Sequence, residues 1–389
     1  MNILLPSHDG AIVSHRLLTT QEQHGPVRPP TLNRIAYAAA HVVVDPRRGY
    51  EPWSNAPAID WDKTLRFREY LYSLGFKVAE AMDTSQRGMG LGWAGAAELI
   101  ERSLAHARTI DGADLACGAG TDQLTAGPHS LADITSAYLE QFELIAKAGG
   151  RPIMMASRAL CAAARDADDY KTVYGAVLSQ SRDKVVLHWL GAAFDTALAG
   201  YWGDTDVAVA METVLDIIRS HPGKVEGIKI SLLDAAYEGQ LRARLPDGVL
   251  MYTGDDFNYD ELIAGDDTGV SHALLGIFDP IAPVASRALG ALAEGDLGAY
   301  RTLLAPTVAL SRALFAAPTQ FYKAGVVFLA WLNGHQDHFA MAGGMQSARS
   351  VLHYADVFRK ADAAGVLIRP ELACRRMRAF LSVHAGIES

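Results

Sequence analysis

The residue in this chain whose type and surroundings are best suited to chemistry is a lysine inside an apolar run. In Val225-Glu226-Gly227-Ile228-Lys229-Ile230-Ser231, the residues Val225, Gly227, Lys229 and Ser231 share one face if the run is extended, because strand side chains alternate with a period of two. An ammonium on a buried face is costly. Either Lys229 lies at an exposed strand end, or the fold holds an amine there for reaction. A lysine attacks a carbonyl only as the free amine, and desolvation beside apolar neighbours such as Ile228 and Ile230 lowers its pKa. The imine it forms is an electron sink that lets an adjacent carbon–carbon bond break or an adjacent proton leave. A second group must then move protons, and His188 in Leu187-His188-Trp189-Leu190, with an ordinary pKa of about 6.5, suits that role.

Other spacings suggest other chemistry. His335 and His338, three apart, would share a helix face with Asp337 nearby, and a third ligand from His41, Glu80 or His272 would make a divalent-metal site for a hydrolase, isomerase or class II aldolase. Gly118-Ala119-Gly120-Thr121-Asp122 could cradle a phosphate, although glycines at a strand end more often serve tight turns. Gly254-Asp255-Asp256 reads mainly as a turn in which Asp256 caps the next helix, with Thr253 able to face a ligand. Thr84 and Ser85 could cap a helix, the commoner job of such residues after a strand. Met341-Ala342-Gly343-Gly344 and the residues to Ser350 suit close helix packing or a subunit contact.

The elements that must position these residues alternate. Short apolar strand candidates at 34–44, 76–82, 113–120, 151–157, 184–190, 225–231, 248–254 and 268–276 are separated by segments such as 94–108 and 131–150, whose apolar residues recur at helical spacing. Eight such alternations predict an α/β fold, a (β/α)8 TIM barrel over residues 33–285. No Gly-x-Gly-x-x-Gly opens a helix after the first strand, which disfavours a doubly wound sheet. Residues 1–32, ending in Gly-Pro-Val-Arg-Pro-Pro, read as an N-terminal extension, and 286–389 as a C-terminal helical bundle. In such a barrel the active site forms at the carboxyl ends of the strands, where Lys229 ends the sixth.

The 389 residues are half hydrophobic and carry a net charge of −9, with a pI near 5.8. No basic cluster interleaves with aromatics, so nucleic acid and anionic membrane surfaces are not expected partners. The start lacks the basic and sustained apolar regions of a signal peptide, and the run 324–332 is less than half the roughly 20 residues of a spanning helix. Cys117, Cys161 and Cys374 are widely separated, fit a reduced cytoplasmic setting and read as packing residues.

Gly227-Ile228-Lys229 resembles the strand-six motif of the dihydrodipicolinate synthase and N-acetylneuraminate lyase family, class I Schiff-base aldolases on a TIM barrel. Residues 251–283 resemble the family's strand-seven Gly-Asp-Asp turn, helix, Gly-x-x-Gly link and strand eight with its serine, here Ser271. On the strength of Asn333-Gly334-His335-Gln336-Asp337-His338 and the residues to Ser350, the chain is identified as a member of a divergent branch labelled as a domain of unknown function. The resemblance spans roughly residues 33–335 in element order and is specific only over 225–283. It implies Lys229 as imine-forming nucleophile with no cofactor beyond that lysine, a small-molecule carbonyl substrate, and assembly as a homo-oligomer.

The departures redirect the reading. His188 falls where the family places a catalytic tyrosine. The carboxylate-holding Gly-Thr-Thr-Gly-Glu stretch is replaced by Met82-Asp83-Thr84-Ser85-Gln86. Thr84 and Ser85 could still bind substrate, but Asp83 would repel a carboxylate unless Arg87 offsets it. A small keto acid is thereby weakened as substrate, and a neutral polyhydroxylated carbonyl compound derived from a sugar gains, with Asp83, Asp122 and Asp255 as acceptors. The expected reaction is carbon–carbon cleavage or condensation, or dehydration. The alternatives are the metal-dependent barrel and a non-catalytic ligand-binding barrel.

Overall fold

The eight apolar runs are the eight strands of one closed parallel barrel. They occur in a computed structural model that describes residues 1–19, 21–22, 29–48, 51, 53–54 and 56–388; Gly25-Pro26-Val27-Arg28 of the expected extension lies outside the described residues. An antiparallel hairpin comes first, β1 (Asn2–Pro6) and β2 (Ile12–Arg16). The barrel strands follow: β3 (Ala36–Ala39), β4 (Lys77–Glu80), β5 (Leu115–Ala119), β6 (Arg151–Met154), β7 (Val185–Leu190), β8 (Val225–Ser231), β9 (Leu250–Thr253) and β10 (His272–Leu275). Each pairs with the next and β10 closes on β3. Both faces of every strand are covered, which is why the runs read as apolar throughout rather than as alternating.

The connections are α1 (Trp61–Ser73), α2 (Trp93–Ala107), α3 (Leu131–Lys147), α4 (Arg158–Ala163) with α5 (Ala167–Gln180), α6 (Val207–Ser220), α7 (Ala235–Arg242) and α8 (Tyr259–Ala264), and α9 (Ala282–Ala293) completes the ring after β10. Side-chain oxygens start several of them. Asp60 caps α1, Asp206 caps α6 and Asp234 caps α7, while Ser130 and Asp133 form a reciprocal capping box on α3, each satisfying backbone N–H groups that the first turn leaves free. The expected division at residue 286 falls inside α9. The helical region therefore starts one helix later, with α10 (Leu297–Leu314), α11 (Tyr322–Leu332), α12 (Val351–Ala363) and α13 (Pro370–Ala385). Among the described residues no single helix is long and apolar enough to cross a membrane.

The hairpin is not a free extension. Ile3, Leu5 and Leu17 are buried, and it packs on α12 and α13. The buried Asp362 carboxylate of α12 accepts the backbone N–H groups of Leu18 at 2.9 Å and Thr19 at 3.0 Å and lies 2.9 Å from His15 Nε2. Removing this buried acceptor breaks part-buried hydrogen bonds to an ionised group, at a total cost of about 1–3 kcal/mol. Asp362→Ala is therefore expected to lower the unfolding free energy by about 2 kcal/mol, read as a shifted urea midpoint; an unchanged midpoint would show that the hairpin is held by its apolar face alone.

Candidate active site

The barrel interior is filled at its amino end and open at the other. Inward side chains include Tyr37, Ala79, Ala116, Ile153, Val186, Tyr252 and Leu274. Below them a polar belt closes the barrel. Arg151 donates to Tyr37 Oη at 2.7 Å and pairs with Asp114 and Glu226, Lys77 reaches Asp114 at 2.6 Å, and Tyr252 Oη donates to Glu226 at 2.7 Å. A ligand can approach an inward-facing group only from the carboxyl ends of the strands.

Lys229 is the inward residue near that end of β8. Its side chain lines a void of about 10 Å³ together with Asp83, Thr84, Asp256, Ser231 and Tyr322. Two glycines make the room. A Cβ at Gly254, just past β9, would stand 2.1 Å from Ser231 Oγ and 2.6 Å from Lys229 Cε, and one at Gly276, just past β10, would press on Tyr322 and Thr84. The Lys229 ammonium makes no hydrogen bond or ion pair among the described residues. Burial lowers its pKa, opposed by the more distant charges of Asp256 and Asp83. The same burial raises Asp256 to about 7, opposed by Lys229, and its Oδ1 accepts the Ile277 N–H at 3.0 Å. In this pair neutral forms gain on charged ones, leaving a nucleophilic amine beside a carboxyl group able to exchange protons near neutrality.

His188 is the register partner of Lys229 on β7. It is fully buried, and desolvation with the Lys229 charge pushes its pKa well below the usual histidine value. The expected titration near neutrality is corrected accordingly: His188 is a neutral imidazole, suited to accepting or donating a hydrogen bond but not to carrying charge at pH 7. Its Nε2 lies 3.5 Å from Ser231 Oγ, and its Nδ1 has no partner. His188 also lines a larger cavity of about 530 Å³ that opens at the barrel mouth, and Asp83 and Leu190 belong to the walls of both spaces.

Several expected substrate contacts lie elsewhere. Asp83 and Thr84 face the void, with Thr84 Oγ1 2.8 Å from Tyr322 Oη. Ser85 turns its hydroxyl back to Met82 O at 2.7 Å, the capping role. Arg87 does not offset Asp83; it is drawn to Asp122, with nitrogens 2.9 and 2.5 Å from the two oxygens. Asp255, expected to meet ligand, instead accepts the Phe257 and Asn258 N–H groups, while Asp256, expected to cap, lines the Lys229 void. Thr253 and Ser271 point outward from the barrel towards α7. Ser271 Oγ donates to Glu238 at 2.7 Å and receives Arg242, and Thr253 interacts with the same Glu238.

The expected metal ligands do not gather. Residues 335–338 are bends after α11 rather than a helix. His335 packs against Phe67 and Tyr70, where burial pushes its pKa down to about 3, and His338 Nδ1 accepts the Ala340 N–H. Glu80 is held by Arg68, His41 by Asp279, and His272 starts β10 at the closed end. Among the described residues no three His, Cys, Asp or Glu side chains converge on a point that could hold a metal ion.

The helical region supplies one residue of the void and a second cation beside it. Tyr322 opens α11 and reaches Thr84. Next to it, Lys323 is buried, lowered to about 8 by desolvation against the opposing charge of Asp83, and donates to Gln320 O at 3.0 Å. The glycine-rich 341–347 stretch helps dock this region, because the Gln86 amide exchanges two hydrogen bonds with the Ala342 backbone at 2.8 and 3.1 Å.

Solved structures of dihydrodipicolinate synthases and of members of their family share this fold. The prophage protein YagE of the dihydrodipicolinic acid synthase family from E. coli K12, solved with pyruvate, superposes with a TM-score of 0.65 at 14% identity, covering 88% of this chain and 100% of that one. Dihydrodipicolinate synthase DapA-2 from Bacillus anthracis gives 0.62 at 15% identity over 86% and 99%, and the enzyme from Aquifex aeolicus 0.61 at 12% over 90% and 97%. No curated protein matches the sequence. Residues 3–387 match the family described as "Protein of unknown function (DUF993)", and the chain belongs to that family.

The outward cluster carries a prediction of its own. Burial raises Glu238 to about 7, above its ordinary 4.5. A carboxyl group whose folded pKa is raised supports the fold below the unfolded value, and that support is lost as pH rises through the folded value. Between pH 4.5 and 7 the wild type should lose on the order of 3 kcal/mol from this group, and Glu238→Gln should flatten that part of the profile. Parallel urea profiles for the two proteins would contradict the assignment.

Proposed function

We propose that the protein is a class I lyase or aldolase in which Lys229 forms an imine with a small keto acid or a sugar-derived carbonyl compound. The observation that carries this reading is Lys229 itself, an unpaired amine of lowered pKa at the open end of the barrel, beside a carboxyl group that titrates near 7. The likeness of the fold to dihydrodipicolinate synthases, one solved with pyruvate, supports it.

The steps balance without redox chemistry. The Lys229 lone pair adds to the carbonyl carbon, and the carbinolamine loses water to give a protonated imine. When the substrate carries a hydroxyl one carbon beyond the carbon next to the imine, that O–H gives its proton to a base, the intervening carbon–carbon bond breaks and its electron pair moves into the imine. An aldehyde or ketone leaves and an enamine remains. The enamine then takes a proton on carbon, and water returns the amine and releases the second product. Condensation runs the same steps backwards; in dehydration the carbon next to the imine instead loses a proton to the base, and the enamine so formed expels the hydroxyl, which takes that proton and leaves as water. Asp256 is the proton carrier in this scheme, because burial raises its pKa to about 7, close to neutrality. Tyr322 and Thr84 supply hydroxyls for the oxygen that changes charge, and neutral His188 orients the bound chain.

Borohydride reduction of the protein with a carbonyl substrate, read by peptide mass, should place the adduct on Lys229. Lys229→Ala should abolish both adduct and turnover. Asp256→Asn should still trap an adduct while turnover falls at least about 100-fold, the usual range for removing a proton-transfer group. Full turnover in Lys229→Ala would end the reading.

A further inference from the structure

The 530 Å³ cavity next to the Lys229 void is within the range of about 300–1,000 Å³ typical of small-molecule sites, and its charges are arranged against anions. Two guanidiniums reach its wall and both are already committed. Arg87 engages Asp122, Gly118 O at 2.6 Å and Gln141 Oε1 at 2.5 Å, and Arg158 pairs with Asp195. Lys323, the other cation near Asp83, belongs to neither cavity wall. Its two arginines face three aspartates, Asp83, Asp122 and Asp195, so the formal charges of these side chains leave one excess negative charge on the wall. A phosphate or carboxylate tail would have to share a guanidinium whose charge Asp122 or Asp195 already offsets, and would meet Asp83, which no ion pair offsets among the described residues.

Hydroxyl groups meet the opposite situation. Asp83 makes no ion pair among the described residues, and Asp122 and Asp195 keep lone pairs beyond those their arginines use. The Thr121 and Ser157 hydroxyls, 2.6 Å apart, add capacity to accept. The buried Nδ1 of His188 has no protein partner, and a buried polar atom of this kind calls for one. Met155, Ala159 and Leu198 supply the apolar surface that covers C–H groups between hydroxyls.

We propose, resting on the imine reading, that the compound held at Lys229 is a neutral polyhydroxylated ketone, a ketose or keto-polyol without phosphate or carboxylate, whose hydroxylated chain runs from the void along the Asp83, Asp122 and Asp195 side of the cavity. The test is competitive borohydride trapping on the full chain. Dihydroxyacetone, xylulose and fructose are titrated against pyruvate, 2-oxoglutarate and fructose 6-phosphate, with the Lys229 peptide read by mass. At least one neutral ketose should reach half-maximal adduct at a tenfold lower concentration than any anionic compound. Asp195→Asn, which releases the Arg158 guanidinium, should raise trapping of fructose 6-phosphate several-fold. Trapping of pyruvate, 2-oxoglutarate or fructose 6-phosphate at lower concentration than every neutral ketose overturns the substrate class and leaves the imine reading standing. No adduct from any of the six overturns both.

Discussion

A lysine amine inside a barrel is stable only if it is paired with a counter-charge or held neutral, and around Lys229 the balance falls towards the neutral form. No carboxylate touches it, and the one whose charge most opposes its neutralisation, Asp256, is itself pushed towards protonation by the same burial. Much else in the molecule serves that condition. The belt of Arg151, Asp114, Glu226 and two tyrosines closes the barrel below. Above, Gly254 and Gly276 leave the space that the lysine and Tyr322 occupy. Because Lys229 and Asp256 share one small void, neither can change protonation without altering the other.

The helical region is part of the same arrangement rather than an appendage. Its Tyr322 bonds Thr84 just past the second barrel strand, its Lys323 lies close enough for the Asp83 charge to oppose its neutralisation, and the Gln86 to Ala342 exchange ties the 341–347 stretch to the barrel rim. The hairpin at the start of the chain is in turn fixed to α12 by Asp362. Asp83 therefore stands between two buried amines, and its charge opposes the neutralisation of both.

The barrel was legible because parallel strands covered on both faces leave unbroken apolar runs, and all eight runs became strands. Lys229 was legible because a charged residue in such a run breaks the pattern. What lay beyond the strand ends was harder. Period-two alternation stops at Thr253, so nothing local told Asp255 from Asp256, and their expected roles came out exchanged. Thr253 and Ser271 are adjacent to inward residues, yet alternation turns both outward to Glu238. Tyr322 and Lys323 left no local signal, because a residue distant in sequence enters a site only through packing. His335 and His338 suggested a metal only if helical, and the chain bends there instead.

The central claim is that burial without a partner shifts Lys229 towards the free amine. Competitive labelling with acetic anhydride across pH, followed by mass spectrometry of every lysine peptide, measures it directly. The account predicts that Lys229 titrates below the ordinary lysine value of 10.5 and below the exposed lysines of the same chain. A Lys229 midpoint at or above theirs would mean a charged, paired lysine, and the imine chemistry built on it would fail.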